Sequence, residues 1–136
     1  FKVIILDEVH MLSGAAFNAL LKTLEEPPPD VKFMLATTEL RKVPTTILSR
    51  CQTFRLRRVP GEELRAHFAR ICAAESVTAE DEALAMVARA ADGSVRDGLS
   101  ILDQAIAQAG GGAVTADSVR DMLGLADRAL ALALME

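Results

Sequence analysis

The chain has 136 residues, about one domain's worth, with 51% hydrophobic residues, 25% charged residues and a formal net charge of −4. This composition excludes a disordered chain, and no run approaches the roughly 18 apolar residues that a membrane helix needs. Residues 1–60 contain nine Lys and Arg against six Asp and Glu, whereas residues 61–136 contain six against thirteen. The acidic second half argues against nucleic-acid binding over the whole surface.

The chain contains two cysteines, Cys51 and Cys72, and no CxxC pair. With only His10 and His67 as further soft ligands, neither a four-ligand zinc site nor a disulfide framework is expected, and a reducing cytoplasm is the expected compartment. Both thiols are expected to behave as small buried hydrophobes. Because the sequence opens on Phe1 within an apolar run, we expect it to be part of a longer protein.

The first sixty residues predict a βαβ arrangement. The aliphatic run at residues 3–6 predicts a strand buried on both faces, and helical spacing of apolar residues follows over residues 13–26. Three prolines at 27–29 end that helix, because proline lacks an amide hydrogen and clashes with the preceding turn. Residues 31–36 predict a second strand. A short helix over 45–50 and a strand over 53–57 with one solvated face complete this part.

Beyond residue 60 the pattern is helical throughout. Helices are predicted over residues 60–75, 79–91, 94–109 and 115–123, with a further one beginning at Asp127. Thr78 with Asp81, and Ser94 with Asp97, have the spacing of capping boxes. We therefore predict an α/β portion at residues 1–59, a small helical bundle at 60–125, and the start of another domain at 126–136.

Polar residues follow both predicted strands, at Asp7-Glu8 and at Thr37-Thr38. Ligands of open parallel sheets bind beyond the carboxyl ends of the strands. An acid in that position can hold Mg²⁺, and a neighbouring carboxylate can orient an attacking water. Taken alone, the residues leave a plain alternative equally open, in which Asp7 caps the next turn and Glu8 is merely solvated.

Asp7-Glu8-Val9-His10 resembles a Walker B motif of the DExH type, and the chain as a whole resembles the AAA+ clamp-loader ATPases. The matching segments are residues 6–12, 17–28, 35–39, 47–51 and 93–100. The resemblance implies the C-terminal part of a P-loop AAA+ parallel sheet followed by a helical-bundle lid. It also implies an ATP-hydrolysing subunit that loads the sliding clamp on primed DNA during replication, with other clamp-loader subunits and the replicative polymerase core as partners and no membrane.

The resemblance further implies a role for each of five residues. Asp7 would help to hold Mg²⁺ on ATP, and Glu8 would polarise the hydrolytic water. Thr38 would be the sensor-1 hydroxyl that reports on the γ-phosphate. Arg50 would be the arginine finger that reaches the ATP of an adjacent subunit. Arg96 would be the sensor-2 residue that connects the lid to nucleotide bound by the same chain.

Physical arguments bear on the two arginines. Arg96 lies in the first turn of a predicted helix, where the macrodipole disfavours a cation by about 0.3–1 kcal/mol and a bound phosphate would satisfy both groups. The alternative interpretation of Arg96 is a surface ion pair with Asp92 or Asp97, which would contribute little to stability. An arginine supplied across an interface can accelerate phosphoryl transfer by about 10³–10⁵. Without the resemblance, Arg50 would be interpreted as an ordinary exposed arginine.

The sequence contains no phosphate loop of the form GxxxxGK[ST]. We expect that loop and the family's zinc-binding cysteines upstream, so the 136 residues alone are expected neither to bind ATP tightly nor to hydrolyse it. Two alternatives stay open. A DExH helicase would have a Ser-Ala-Thr type segment where this chain has Ala36-Thr37-Thr38. A non-catalytic interaction subunit that only donates Arg50 would need neither Asp7-Glu8 nor Arg96.

Overall fold

The computed structural model describes residues 1–133, and for residue 125 and residues 127–132 it describes the backbone alone. The chain divides into two compact units, and the division in the sequence falls between Arg55 and Leu56. This division lies four residues before the boundary placed at 59/60 from composition. Within the described residues, no helix combines the length and the apolar character needed to cross a bilayer.

The first unit has the predicted βαβ order. Its elements are β1 (Lys2–Leu6), α1 (Gly14–Glu25), β2 (Val31–Leu35) and α2 (Thr45–Leu48). The two strands are parallel, with Lys2 opposite Val31 and Leu6 opposite Leu35. α1 begins where the sequence predicts, because the Ser13 hydroxyl accepts a hydrogen bond from the Ala16 amide at 3.2 Å.

Two expectations for this unit are wrong. β1 is predicted to be buried on both faces, but Val3 is 46% and Ile5 67% exposed, because no described element covers the face of the two-stranded sheet on which both lie. Residues 53–57 form no strand, since an extended segment becomes a strand only with a hydrogen-bonding partner and β1 and β2 pair only with each other. The core of the unit is small and consists of Val9, Phe17, Val43 and Ile47, with Leu6 and Leu35 packed against it.

Up to residue 133, the second unit is a bundle of four helices. They are α3 (Gly61–Ala74), α4 (Asp81–Ala91), α5 (Val95–Ala109) and α6 (Ala116–Ala133). Their apolar faces enclose a larger core that includes Leu64, Phe68, Val87, Leu102 and Val119. The Ser94 cap of α5 is confirmed, because its hydroxyl accepts from the Asp97 amide at 3.2 Å.

The helix ends correct two further predictions. The Thr78–Asp81 capping box is absent; α4 begins after Glu80, whose carboxylate instead accepts from the Ala116 amide at 2.8 Å. The break predicted between residues 123 and 127 is also absent, since α6 runs through Gly124 to Ala133. A single glycine costs a helix only about 1 kcal/mol, and its alanine and leucine neighbours favour helix. Of the further domain predicted at 126–136, residues 134–136 lie outside the described part.

The segment that leads into α3 lies directly against the turn that leads into α5. The Val59 amide donates to the Gly93 carbonyl at 3.0 Å, and the Arg58 guanidinium pairs with the Asp92 carboxylate at 3.0 Å. Gly93 has φ +83°, and a β-carbon there would overlap the Arg58 side chain. This close approach requires glycine at position 93.

Candidate functional site

Six polar residues converge at the carboxyl edge of the parallel sheet. This carboxyl-edge cluster consists of Asp7, Glu8, His10, Thr37, Thr38 and Glu39. It is built by the segments that directly follow β1 and β2. Parallel strands bring their carboxyl ends to the same edge, which is why residues about thirty positions apart in sequence meet here.

A local departure from the regular ladder presents the two acids. Ala36 donates to the Leu6 carbonyl at 2.9 Å, and its own carbonyl accepts from the Val9 amide at 2.9 Å. A regular parallel ladder would use the Glu8 amide in place of the Val9 amide, so one extra residue is accommodated, as in a β-bulge. The Glu8 amide bonds instead to the Asp7 Oδ1 atom at 2.9 Å. Asp7 therefore does engage the backbone, but both acidic side chains remain exposed.

Glu8 adopts a left-handed backbone conformation, with φ 49° and ψ 47°. Such a conformation costs a non-glycine residue about 1–3 kcal/mol and is concentrated at functional sites. Sequence reasoning missed it, because glutamate has no preference for this region and nothing in the residue types announces it. The buried Val9 and the Ala36 hydrogen bonds hold the bulge in place.

The structure brings two of the predicted site residues into contact. The Thr38 hydroxyl donates to the Glu8 Oε2 atom at 3.2 Å. Asp7 precedes Glu8 in the same bulge, so the predicted sensor hydroxyl and both predicted acids lie at one edge of the sheet. The Glu8 side chain is 49% exposed, and its carboxylate is accessible to a ligand.

His10 and Thr37 are members of the cluster that sequence reasoning did not assign to the site. The His10 side chain is only 5% exposed, and its Nδ1 atom lies 2.8 Å from the Thr37 hydroxyl. Its Nε2 atom lies 3.6 Å from Glu8 Oε2 and 3.9 Å from Glu39 Oε1. The sequence signals were the position of His10 two residues after Glu8 and that of Thr37 beside Thr38 after the second strand.

Glu39 connects the cluster to Lys42. Its amide donates to the Thr37 hydroxyl at 3.0 Å, and its carboxylate pairs with Lys42 at 2.9 Å. The hydrogen bond from Lys42 holds the pKa of the Glu39 carboxyl below its ordinary value, against a smaller opposing contribution from desolvation. Glu39 is therefore an anion at neutral pH and adds negative charge next to His10.

Arg50 lies just after α2, and its hydrogen bonds go outside the carboxyl-edge cluster. Its guanidinium contacts the Glu25 carboxylate at 2.7 Å and the Ser49 hydroxyl at 3.5 Å. The side chain is 40% exposed, so it belongs to the surface rather than to the interior.

Arg96 is exposed in the first turn of α5, as predicted. The alternative ion pairs with Asp92 and Asp97 are wrong. Asp92 pairs with Arg58, and Arg96 makes no salt bridge within the part of the chain that the structure describes. Ser94 caps the helix end beside it.

Two family models match successive parts of the chain. Residues 1–60 match the family described as DNA polymerase III, delta subunit. Residues 63–111 match the family described as DNA polymerase III clamp loader subunit, ATPase lid domain. The junction between the two matches lies close to the start of α3.

Several curated proteins are similar over the whole chain or nearly so. The chain is 54% identical over all 136 residues to the DNA polymerase III subunit tau of Salmonella typhimurium and to that of Escherichia coli, covering 21% of each protein. It is 55% identical over 127 residues, 93% of the chain, to the subunit tau/gamma of Haemophilus influenzae, covering 18% of that protein. The chain thus spans about a fifth of the length of these relatives.

Among solved structures, the Holliday junction branch migration motor RuvB of Thermotoga maritima matches with a TM-score of 0.76. The identity is 22%, and the match covers 90% of this chain and 44% of that one. This likeness concerns the fold alone. The family model over residues 63–111 gives the class of the helical bundle, which is the ATPase lid domain of a clamp-loader subunit, and the parallel sheet precedes this lid.

The matches to curated proteins narrow this class to one family. The lid model names the clamp loader, and the relatives at 54–55% identity are tau and tau/gamma subunits. The chain belongs to the gamma/tau family of DNA polymerase III clamp-loader subunits.

Proposed function

We propose that this chain is part of the ATP-driven motor subunit of a bacterial sliding-clamp loader. In the assembly it would act with other clamp-loader subunits to place the sliding clamp on primed DNA for the replicative polymerase core. The observation that supports this most strongly is the 54% identity over all 136 residues to subunits named tau of DNA polymerase III. The carboxyl-edge cluster supplies the chemical groups that such a function needs.

The residues at the sheet edge fit Mg²⁺ carried on ATP. Mg²⁺ prefers carboxylate oxygen and is held by one or two carboxylates together with substrate phosphates. Asp7 is exposed at this edge with only Oδ1 engaged, by the Glu8 amide. Asp7 would hold the ion, which neutralises charge on the phosphates when bound.

Glu8 is proposed to orient the attacking water. Its Oε2 atom is engaged by Thr38 at 3.2 Å, while the exposed carboxylate leaves the second oxygen available to a water. A carboxylate in that position accepts the hydrogen bond that aligns a water for attack on phosphorus. Thr38, at the same edge, would then report phosphate occupancy through the hydroxyl that now contacts Glu8.

Arg50 is proposed as the residue supplied in trans to the nucleotide of an adjacent subunit. Its pair with Glu25 is solvent-exposed on both sides, and such pairs are worth only about 0–1 kcal/mol. The guanidinium can therefore exchange this partner for a phosphate at little cost. Arg96 is proposed to bind nucleotide held by its own chain, which agrees with an arginine at a helix start without a carboxylate partner among the described residues.

The absence of GxxxxGK[ST] from these residues leads us to propose that the phosphate cradle comes from elsewhere in the protein. The 136-residue chain alone should then lack magnesium-dependent ATPase activity. A measurable rate from the isolated chain would contradict this part of the proposal.

Three substitutions in the complete protein, assembled with its partner subunits, test the assignment. Glu8→Gln should lower the rate constant of ATP hydrolysis by about 10²-fold or more while nucleotide still binds. Arg96→Ala should weaken nucleotide affinity of the subunit alone. Arg50→Ala should leave that affinity unchanged and lower hydrolysis only in the assembled complex, about 10³-fold. Arg41→Ala and Arg70→Ala, at other exposed arginines, are the matched controls.

The outcomes test each assignment and separate a catalytic subunit from a non-catalytic one that only donates Arg50. Full ATPase activity after Glu8→Gln would overturn the catalytic assignment. Unchanged nucleotide affinity after Arg96→Ala would overturn the sensor-2 assignment. If Arg50→Ala alone impairs the assembly, the chain is a non-catalytic donor of that arginine.

A further inference from the structure

His10 is a nearly buried titratable side chain that the proposed mechanism does not use. Only 5% of the side chain is exposed, so the ring lies mostly against protein groups. Its Nδ1 atom lies 2.8 Å from the Thr37 hydroxyl. Its Nε2 atom faces two carboxylates, Glu8 at 3.6 Å and Glu39 at 3.9 Å.

These contacts determine which ring nitrogen carries the proton. An Nε2 lone pair directed at two carboxylates would be repelled by both, whereas an Nε2–H is attracted. The Thr37 oxygen already accepts a hydrogen bond from the Glu39 amide at 3.0 Å, and its own hydrogen remains for the Nδ1 lone pair. The neutral ring is therefore the Nε2–H tautomer, with Nδ1 as acceptor.

Two donors thus face the same oxygen of Glu8. The Thr38 hydroxyl hydrogen-bonds Oε2 at 3.2 Å, and the His10 Nε2 atom lies 3.6 Å from the same oxygen, an electrostatic contact slightly longer than a hydrogen bond, on a side chain held in place by burial. The backbone of Glu8 is in the left-handed region, outside any helix or strand. Its side chain therefore depends on these two donors for a fixed direction.

We propose that His10 is a positioning residue for Glu8: from its buried site against Thr37 it fixes one carboxylate oxygen and leaves the other for the attacking water. This inference rests on the proposed role of Glu8 and adds the residue that aims it. His10 itself contacts neither nucleotide nor water in this role.

The first test compares His10→Ala and His10→Gln in the complete protein. His10→Ala should lower kcat for ATP hydrolysis by about 10–100-fold, because small misplacement of a catalytic group costs that much, with KM for ATP unchanged. Gln carries an amide N–H that reaches toward the Nε2 position, so His10→Gln should recover part of the loss. His67→Ala, at the partly exposed histidine of α3, is the matched control and should leave both constants unchanged.

A second test does not depend on tolerance of a substitution at position 10. Nitrogen-15 NMR of the complete protein should show the His10 ring as the Nε2–H tautomer. Thr37→Val keeps the shape of the threonine and removes the hydrogen bond to Nδ1, so it should lower kcat in the same direction as His10→Ala. An Nδ1–H tautomer would overturn the proposal.

The double variant separates positioning from a merely structural role. In the Glu8→Gln background, the carboxylate that His10 aims is gone, so adding His10→Gln should cause no further loss of kcat. A full additional loss would mean that His10 acts through something else and would overturn the proposal. If Glu8→Gln by itself leaves hydrolysis unchanged, the proposed function has failed; if it lowers hydrolysis while His10→Ala and His10→Gln do not, only the positioning inference has failed.

Discussion

The two units of this chain bury their apolar residues to very different extents. In the helical unit, Leu64, Phe68 and Val119 have no exposed surface, and the core contains side chains from every helix. In the first unit, Ile5 is 67% exposed and Met34 58% exposed, although both lie in strands. The proposed catalytic groups nevertheless belong to the first unit. Stability is thus concentrated in one unit, whereas the polar chemistry is concentrated in the other.

This difference follows from how each kind of element buries its surface. Helices that each have one apolar face can bury those faces against one another in a small bundle. A two-stranded parallel sheet has two faces and two edges, and the single helix between its strands covers only part of that surface. The polar edge tolerates exposure, since carboxylates and hydroxyls are solvated without penalty.

The largest expected contrast is between matched truncations in the two units. Phe68→Ala should lower the free energy of unfolding by about 3–5 kcal/mol, because the ring is fully buried and leaves a cavity. Met34→Ala in the exposed sheet should change it by no more than about 0.5 kcal/mol. Denaturant unfolding followed by circular dichroism measures both. Similar losses for the two variants would contradict the contrast.

A smaller effect is expected from adding one methyl group. In Gly98→Ala the new β-carbon would overlap the Phe68 ring and lie 3.0 Å from the Ala91 β-carbon. Overpacking of about 1–3 kcal/mol should outweigh the roughly 1 kcal/mol that alanine gains in a helix. Gly14→Ala, at the start of α1, meets no atom within 4 Å and should be neutral or stabilising. The same unfolding measurement decides, and a stabilised Gly98→Ala would show that the core of the bundle gives way.

Each unit contains one cysteine, so the reactivity of the two thiols also compares burial in the two units. Cys72 is buried in the bundle, and desolvation raises the pKa of its thiol, whereas Cys51 is only partly buried. Because the thiolate is the reactive form, a thiol reagent at neutral pH should modify Cys51 first and Cys72 only on unfolding. Mass spectrometry of partly modified protein measures the order. Equal rates in denaturant serve as the control.

The smallest expected effect is the pH response of Glu39 in the first unit. Its pKa in the folded chain is lowered, so the stabilisation from its pairing with Lys42 is present above the ordinary glutamate pKa of about 4.3 and is lost as the pH falls through the folded value. Lys42→Met should return the Glu39 pKa toward its ordinary value. An NMR titration of the carboxyl group measures this, and an unchanged pKa in the variant would exclude Lys42 as the cause.

The amino-acid pattern predicted the elements of both units well. Apolar spacing located α1 and α3 to α5 to within a few residues and the start of α6 but not its end, and the Ser94 cap was predicted from its spacing to Asp97. The location of Glu8 and Thr38 at one edge was expected from the common edge of parallel strands, whereas their hydrogen bond was not. These features depend on local spacing and on topology, both of which are encoded within short stretches.

What the sequence did not predict depends on the surroundings of each residue. The alternation at residues 53–57 is typical of a strand, but pairing requires a neighbour that no local pattern specifies. The left-handed backbone at Glu8, in the bulge opposite Ala36, and the burial of His10 become visible only once both strands are placed. The roles of Arg50 and Arg96 came from the resemblance, with a physical argument beside each, and stay predictions.

The absence of a side chain at Gly93 has a mechanical consequence for the helical unit. The Val59 amide and the Arg58 side chain lie directly against this turn. Between Gly93 and the Arg58 side chain there is no space for even a methyl group. The beginnings of α3 and α5 are therefore coupled as a single rigid corner. Any displacement of the chain at Arg58 reaches Arg96 through three or four residues of backbone, bypassing the rest of the bundle.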